Sequence, residues 1–336
     1  MNKDKTIKIR DNKLDALRAL IMIYIVCIIH GMYWYGSGNS FLRSALLFEM
    51  PIIFYISGAS YSLTQPKRTI ETIIDRFKRI YLPYYIYVII WLSCLLIFGY
   101  IDNLTQGHYY KTIIGHSFEQ APAQSHIWFI IPYMIISCSL PIQNVLLNKI
   151  SPIIYLIISA GVFLFACTLS LHSILLHVFC YNFFFILGYV SYRRWNINRL
   201  LSITGGLLLI AISLYYKGEL VNMQTCKFPP NFIFLTFGLG WLGLLNGFIP
   251  LINLKCNSIL KLWCKHGYTI YLYQSIPYVL YALSNKWCKA WLNEHQILAF
   301  IILPVFIFAA NTILCLVLCF FRNRFFSSSR FIKQIK

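Results

Sequence analysis

Apolar runs of about twenty residues recur along this chain, separated by short polar stretches. A helix needs roughly 20 apolar residues to cross a bilayer. In lipid only helices and closed barrels satisfy every backbone polar group. The runs are continuous rather than alternating, which argues against a transmembrane barrel. Apolar residues make up 59% of the 336 and charged residues 12%, against about 25% charged in an ordinary soluble domain. A soluble globular protein, a disordered chain and a disulfide-rich secreted domain are therefore excluded. The fold class that remains is all-α, a polytopic transmembrane helical bundle of about ten spans with no soluble domain. The spans read as 14–35, 42–64, 80–100, 127–147, 152–170, 173–192, 200–216, 230–252, 262–284 and 297–321. Residues 1–336 form a single integral membrane domain, with 1–13 as a leader and 322–336 as a tail.

The formal charge is +19. In a soluble protein this would suggest nucleic acid; here it reads as the positive-inside rule and contact with anionic lipid, with no nucleic-acid partner. Lys3, Lys5, Lys8, Arg10 and Lys13 precede the first span, and Lys67, Arg68, Arg76, Lys78 and Arg79 follow the second. Arg193, Arg194 and Arg199 follow the sixth, and Arg322, Arg324, Arg330, Lys333 and Lys336 close the chain. The opposite connections hold Arg43, Lys111, Lys217, Lys227, Lys286 and Lys289. Both termini are thus expected in the cytoplasm, and the long connection 101–126, with His108 and His116, outside. Tyr33, Trp34, Tyr35, Trp287 and Trp291 sit where an interfacial belt belongs. The N-terminus reads as a basic leader rather than a cleavable signal peptide. The 11 cysteines contain no CxxC pair and no metal-ligand spacing. Cys27, Cys94, Cys138, Cys167 and Cys315 read as packing residues within apolar runs, and no metal is expected.

Charge within a membrane costs about 2.5–3.5 kcal/mol or more at a helix centre, so each case is a functional candidate. The first span contains Arg18 and His30, the second Glu49. Taken alone, Arg18 reads equally as a snorkelling side chain, and His30 as a hydrogen-bonded packing residue. Glu49 is harder to accommodate, since its own helix offers no cation, and it needs a partner or a proton. His30 lies at similar depth on the preceding helix, so a His30–Glu49 pair is the economical solution. A carboxylate that orients an imidazole is one way to build a general base. Asp15 reads as a charge at the helix start or a partner of Arg18. The Arg76-Phe77-Lys78-Arg79 cluster reads as a topology determinant or as an anion site for a phosphate-bearing ligand.

In these residues the sequence resembles the membrane acyltransferase family 3, bacterial O-acyltransferases that modify cell-surface glycans. Leu14-Asp15-Ala16-Leu17-Arg18 running to His30 resembles the family's opening motif. Phe48-Glu49-Met50-Pro51 through Ser57-Gly58 resembles its second helix, and Arg76-Phe77-Lys78-Arg79-Ile80-Tyr81-Leu82-Pro83 its arginine-x-x-arginine motif. Ser125-His126-Ile127-Trp128-Phe129, Phe183 to Tyr189, Lys227-Phe228-Pro229-Pro230 and Gly267 to Leu272 are similar to later markers. The resemblance runs from about residue 10 to 320 and rests on the order and spacing of the motifs. Two departures stand out. Eleven residues, 19–29, separate Arg18 from His30, where the family has ten; and Glu49 stands where relatives often carry histidine.

The resemblance implies transfer of an acyl group, acetyl first among the candidates, from acetyl-CoA or another acyl-CoA. The acceptor would be a hydroxyl of a surface polysaccharide or a lipid-linked sugar precursor, at a bacterial cytoplasmic (inner) membrane. Arg76, Arg79 and Arg18 would meet the donor's phosphates. His30 would act as base with Glu49 supporting the imidazolium. An acyl-histidine route stays open, and no G-x-S-x-G elbow points to a serine acyl-enzyme. The rival reading is a transporter or flippase using the same buried charges as a path. The extra residue carries its own expectation. Residues twelve apart are rotated by about 1200° on an ideal helix, so one side chain points about 120° away from the other. A shared face for Arg18 and His30 then requires a π-type turn between about Leu20 and Ile29.

Overall fold

The computed structural model describes residues 11–34, 40–64, 69–97, 109–115, 125–192, 194–195, 197–251, 255–294 and 296–333. The helices are α1 (Asn12–Trp34), α2 (Ser40–Ser62), α3 (Thr69–Ile97), α4 (Tyr109–Ile114), α5 (His126–Lys149), α6 (Pro152–Thr168) and α7 (Ser173–Ser191). They continue with α8 (Arg199–Leu214), α9 (Met223–Lys227), α10 (Phe232–Phe248), α11 (Ser258–Tyr273), α12 (Ser275–Glu294) and α13 (Gln296–Lys333). Among the described residues six helices are long and apolar enough to cross a membrane, and four further apolar helices are shorter. An all-helical bundle of about ten spans is therefore the architecture. Ile89, Ile157 and Leu208 are among the apolar side chains exposed on its outer face, where a soluble protein would carry charge.

Helix boundaries differ from the hydropathy reading where local chemistry intervenes. The third helix begins at Thr69, well before the apolar stretch expected at 80. Arg76 and Arg79 consequently stand on a helix at i, i+3, on neighbouring positions of one face, rather than in a loop. The ninth span is interrupted at Gln274, between α11 and α12. Pro277 explains the break. It has no N–H to give the Tyr273 carbonyl, and its ring crowds that oxygen. Helix α2 is broken at Leu46–Phe48 and restarts at Glu49; the Tyr24 hydroxyl donates to the Leu46 carbonyl at 2.5 Å.

The long connection expected outside docks α4 against the middle of α3. Hydroxyls of Tyr81, Tyr84 and Tyr85, midway along α3, donate to the carbonyls of Ile114, Thr112 and Ile113 at 2.9, 2.6 and 3.0 Å. Backbone that leaves helical geometry within a membrane is tolerated where the protein supplies such partners. His108 and His116 lie outside the described residues, as do the side chains of Tyr35, Trp287 and Trp291.

The core depends on close helix approach. Gly58 on α2 and Gly188 on α7 face one another's backbones. A Cβ at Gly58 would lie 1.8 Å from the Phe185 carbonyl oxygen, and one at Gly188 2.0 Å from that of Tyr55. Small residues at such crossings replace the hydrophobic effect, which lipid removes, with dense packing. Gly188→Ala is expected to force α2 and α7 apart and to destabilise the protein by roughly 1–3 kcal/mol or more, the usual cost of overpacking. Gly161→Ala, with nothing within 4 Å of the added carbon, is expected to be tolerated. Thermal unfolding of the two variants in detergent, compared with wild type, checks both.

Candidate active site

Helix α1 positions two of the candidate residues. Asp11 starts it, its carboxylate accepting from the Lys13 and Leu14 amides at 3.0 and 3.3 Å. Two turns in, Arg18 donates to the Ser60 hydroxyl on α2 and lies 3.6 Å from Asp15. The helix then changes pitch. Tyr24–Ile29 is a π-helix, and the His30 amide bonds the Ile25 carbonyl five residues back. This is the turn that the twelve-residue separation requires. The Val26 carbonyl, the α-helical partner of that amide, receives the Tyr278 hydroxyl at 2.6 Å.

The Arg18 face of α1 looks onto a cavity of about 850 Å³, and His30 is not among the residues that line it; the volume is within the range of small-molecule sites. Arg18, Met22 and Ile25 line it from α1, and Arg76 and Arg79 from α3. Helix α11 contributes Lys265, Gly267, Tyr268 and Tyr271. The structure thus brings the three arginines together at one end, hereafter the basic end. At the other end the cavity stops at Ile25, Phe129 and Tyr271. The Tyr271 ring lies 5.6 Å from that of His30, centroid to centroid.

His30 sits just beyond in an aromatic box. Trp34 stacks on it at 4.8 Å, and His126 stands 5.8 Å away. The Tyr271 hydroxyl donates to the His126 carbonyl, tying α11 to the start of α5. His30 Nδ1 is 2.6 Å from Gln274 Oε1. The amide's orientation follows from its other half: Gln274 Nε2 donates to the Tyr271 carbonyl at 2.7 Å, which an oxygen in its place could not do. An oxygen therefore faces His30, so Nδ1 carries the proton and Nε2 the lone pair.

The expected His30–Glu49 pair does not form. Glu49, 3% exposed, is ion-paired with Lys227, 5% exposed. The reason is the fold of the 215–231 connection. Its short helix α9 ends at Lys227 and is followed by a cis Phe228–Pro229 peptide. It carries the lysine inward, over the rings of Trp128 and Phe228 at 5.6 and 5.2 Å. Each buried charge needs an opposite charge more than His30 needs a carboxylate. Glu49 also begins the second half of α2, where the helix dipole favours an anion.

Two residues escaped the sequence reading. Gln274 was signalled only by being an amide in an apolar segment three positions before a proline. Lys227 stood within a quoted motif, but its partner is 178 positions away.

A family model described as an acyltransferase domain matches residues 11–320, from the cap of α1 into α13. The chain belongs to acyltransferase family 3. Comparison with curated proteins and with solved structures gave no match. As a family 3 protein the chain is a membrane acyltransferase with several apolar spans. Lys227→Met leaves Glu49 buried without its cation and is expected to cost roughly 3–5 kcal/mol of stability. Lys227→Met combined with Glu49→Gln removes both charges and should recover most of it, measured by thermal unfolding of the two variants.

Proposed function

We propose that this protein moves an acyl group, acetyl foremost, from acyl-CoA to a hydroxyl of a cell-surface polysaccharide or its lipid-linked sugar precursor. The supporting observation is the single cavity that begins among Arg18, Arg76 and Arg79 and ends against the ring that touches the His30 box. A polyanionic donor would place its phosphates at the arginines. Twelve residues of helix span about 18 Å at 1.5 Å each, a distance to be bridged by the donor's long arm, with its thioester brought towards His30.

In this reading His30 Nε2 takes the proton of the acceptor hydroxyl as its oxygen attacks the thioester carbonyl. The tetrahedral intermediate collapses, the carbon–sulfur bond breaks, and the imidazolium returns the proton to the departing thiolate. Gln274 is the positioning residue: its oxygen holds Nδ1–H and so turns the lone pair of Nε2 towards the substrate. Glu49, expected to support the imidazolium, takes a different part as the partner of Lys227. We place the basic end in the cytoplasm, where acyl-CoA is made, of a bacterial inner membrane.

His30→Ala should lower acyl transfer by about 10²–10⁴-fold with membrane insertion intact. Gln274→Leu should lower kcat while leaving KM for the donor unchanged. Arg76→Ala or Arg79→Ala should mainly raise that KM. Purified protein assayed with acetyl-CoA, with glycan mass spectrometry in cells, checks these; near-wild-type acylation by His30→Ala would sink the assignment. Reporter fusions after residues 110 and 290 should read periplasmic, and one after 336 cytoplasmic.

A further inference from the structure

Away from that cavity, on the side where α11 meets α13, a second group of chemistry-bearing side chains converges. His266 lies on α11, and Cys315 and Cys319 on α13. Their ligand-capable atoms all fall within 4.8 Å of one another. Cys315 and Cys319 are one turn apart on one helix face; Asn311 continues the row a turn earlier and is buried. A cavity of about 150 Å³ adjoins them, lined also by Thr269 and Asn311. Cys315 and Cys319 are a local pair with three residues between them, but His266 joins them from a helix 49 residues earlier.

We propose that His266, Cys315 and Cys319 form a binding site for Zn²⁺, with a water from the adjoining cavity completing the coordination. The first argument is geometric. Zn–S of about 2.3 Å and Zn–N of about 2.0–2.1 Å at a tetrahedral angle put sulfur and nitrogen roughly 3.6 Å apart. Cys319 Sγ and His266 Nε2 are 3.5 Å apart. The second is chemical. Two sulfurs and an imidazole suit a thiophilic cation, whereas Mg²⁺ and Ca²⁺ need oxygen ligands. The third is electrostatic. The site lies within apolar helices, where net charge is expensive. Zn²⁺ with two thiolates and one neutral imidazole has no net charge. A monovalent cation in the same ligands would leave a buried negative charge. Binding releases two thiol protons to solvent and leaves every oxidation state unchanged.

Occupancy would pin α11 to α13. His266 is flanked in sequence by Lys265 and Gly267, which line the large cavity, so the ion would brace that cavity's wall from behind. The binding claim itself stands apart from the proposed reaction and is tested without it.

The full chain, purified in detergent in metal-free buffer, is incubated with Zn²⁺, passed over a desalting column and analysed for metal by mass spectrometry. Wild type should retain about one Zn²⁺ per chain beyond that held by the Cys315→Ser/Cys319→Ser variant. His266→Ala should also lose it, and Mg²⁺ should not be retained. In parallel, alkylation of Cys315 and Cys319 in wild type, read by peptide mass spectrometry, should slow by at least about tenfold with Zn²⁺, because a coordinated thiolate is a poor nucleophile. Metal-free wild type, equal retention by the serine variant, or alkylation rates unchanged by Zn²⁺ would each overturn the site and leave a thiol–imidazole hydrogen bond in its place. The alkylation measurement decides the matter even where a variant does not fold.

Discussion

The bond from the His30 amide to the Ile25 carbonyl governs the geometry of the site. An ideal α-helix would have turned His30 away from the face that Arg18, Met22 and Ile25 present to the cavity. One π-turn absorbs the extra residue. The irregular ladder is stabilised by the neighbouring helix: Tyr278 serves the Val26 carbonyl and also packs edge-on against Trp34 at 4.7 Å, the ring stacked on His30. The backbone defect and the aromatic box are therefore held by the same side chain.

Charge is distributed by the same logic of mutual satisfaction. Arg18 would be costly two turns into a helix, but Asp15 and Ser60 hold it at the cavity wall. Lys227 and Glu49 neutralise one another. That leaves a neutral glutamine rather than a carboxylate beside His30. A buried carboxylate there would need its own compensation, and Gln274 instead fixes the tautomer without adding charge. Its second hydrogen bond, to Tyr271, makes the orientation unambiguous.

Much of this was legible from residue order. Long apolar runs specified the bundle, and the separation of Arg18 from His30 anticipated the π-turn, because helical period converts a residue count into an angle. The resemblance grouped Arg76 and Arg79 with Arg18, and all three line one cavity. Partner choice was not legible. The sequence offered Glu49 one companion, the imidazole on the preceding helix, and nothing local signals a lysine brought in by a distant connection. Hydropathy also misses helix that extends beyond the apolar stretch, as at Thr69–Arg79, and a short helix docked on another, as α4 is by three tyrosine hydroxyls of α3.

Helix α11 is where these threads meet. Cys264 donates towards Asp15, the partner of Arg18, at 3.5 Å. Tyr268 donates to the Ile80 carbonyl of α3 at 3.0 Å, beside Arg79. Tyr271 closes the cavity and binds the start of α5. The break that follows releases Gln274 from regular helix and turns it onto His30. A movement along α11 would therefore act at once on the arginine end, the cavity's inner wall and the tautomer of the histidine. Pro277 removes one rung where α11 joins α12. One helix with a broken joint thus touches both the arginine end and the His30 box.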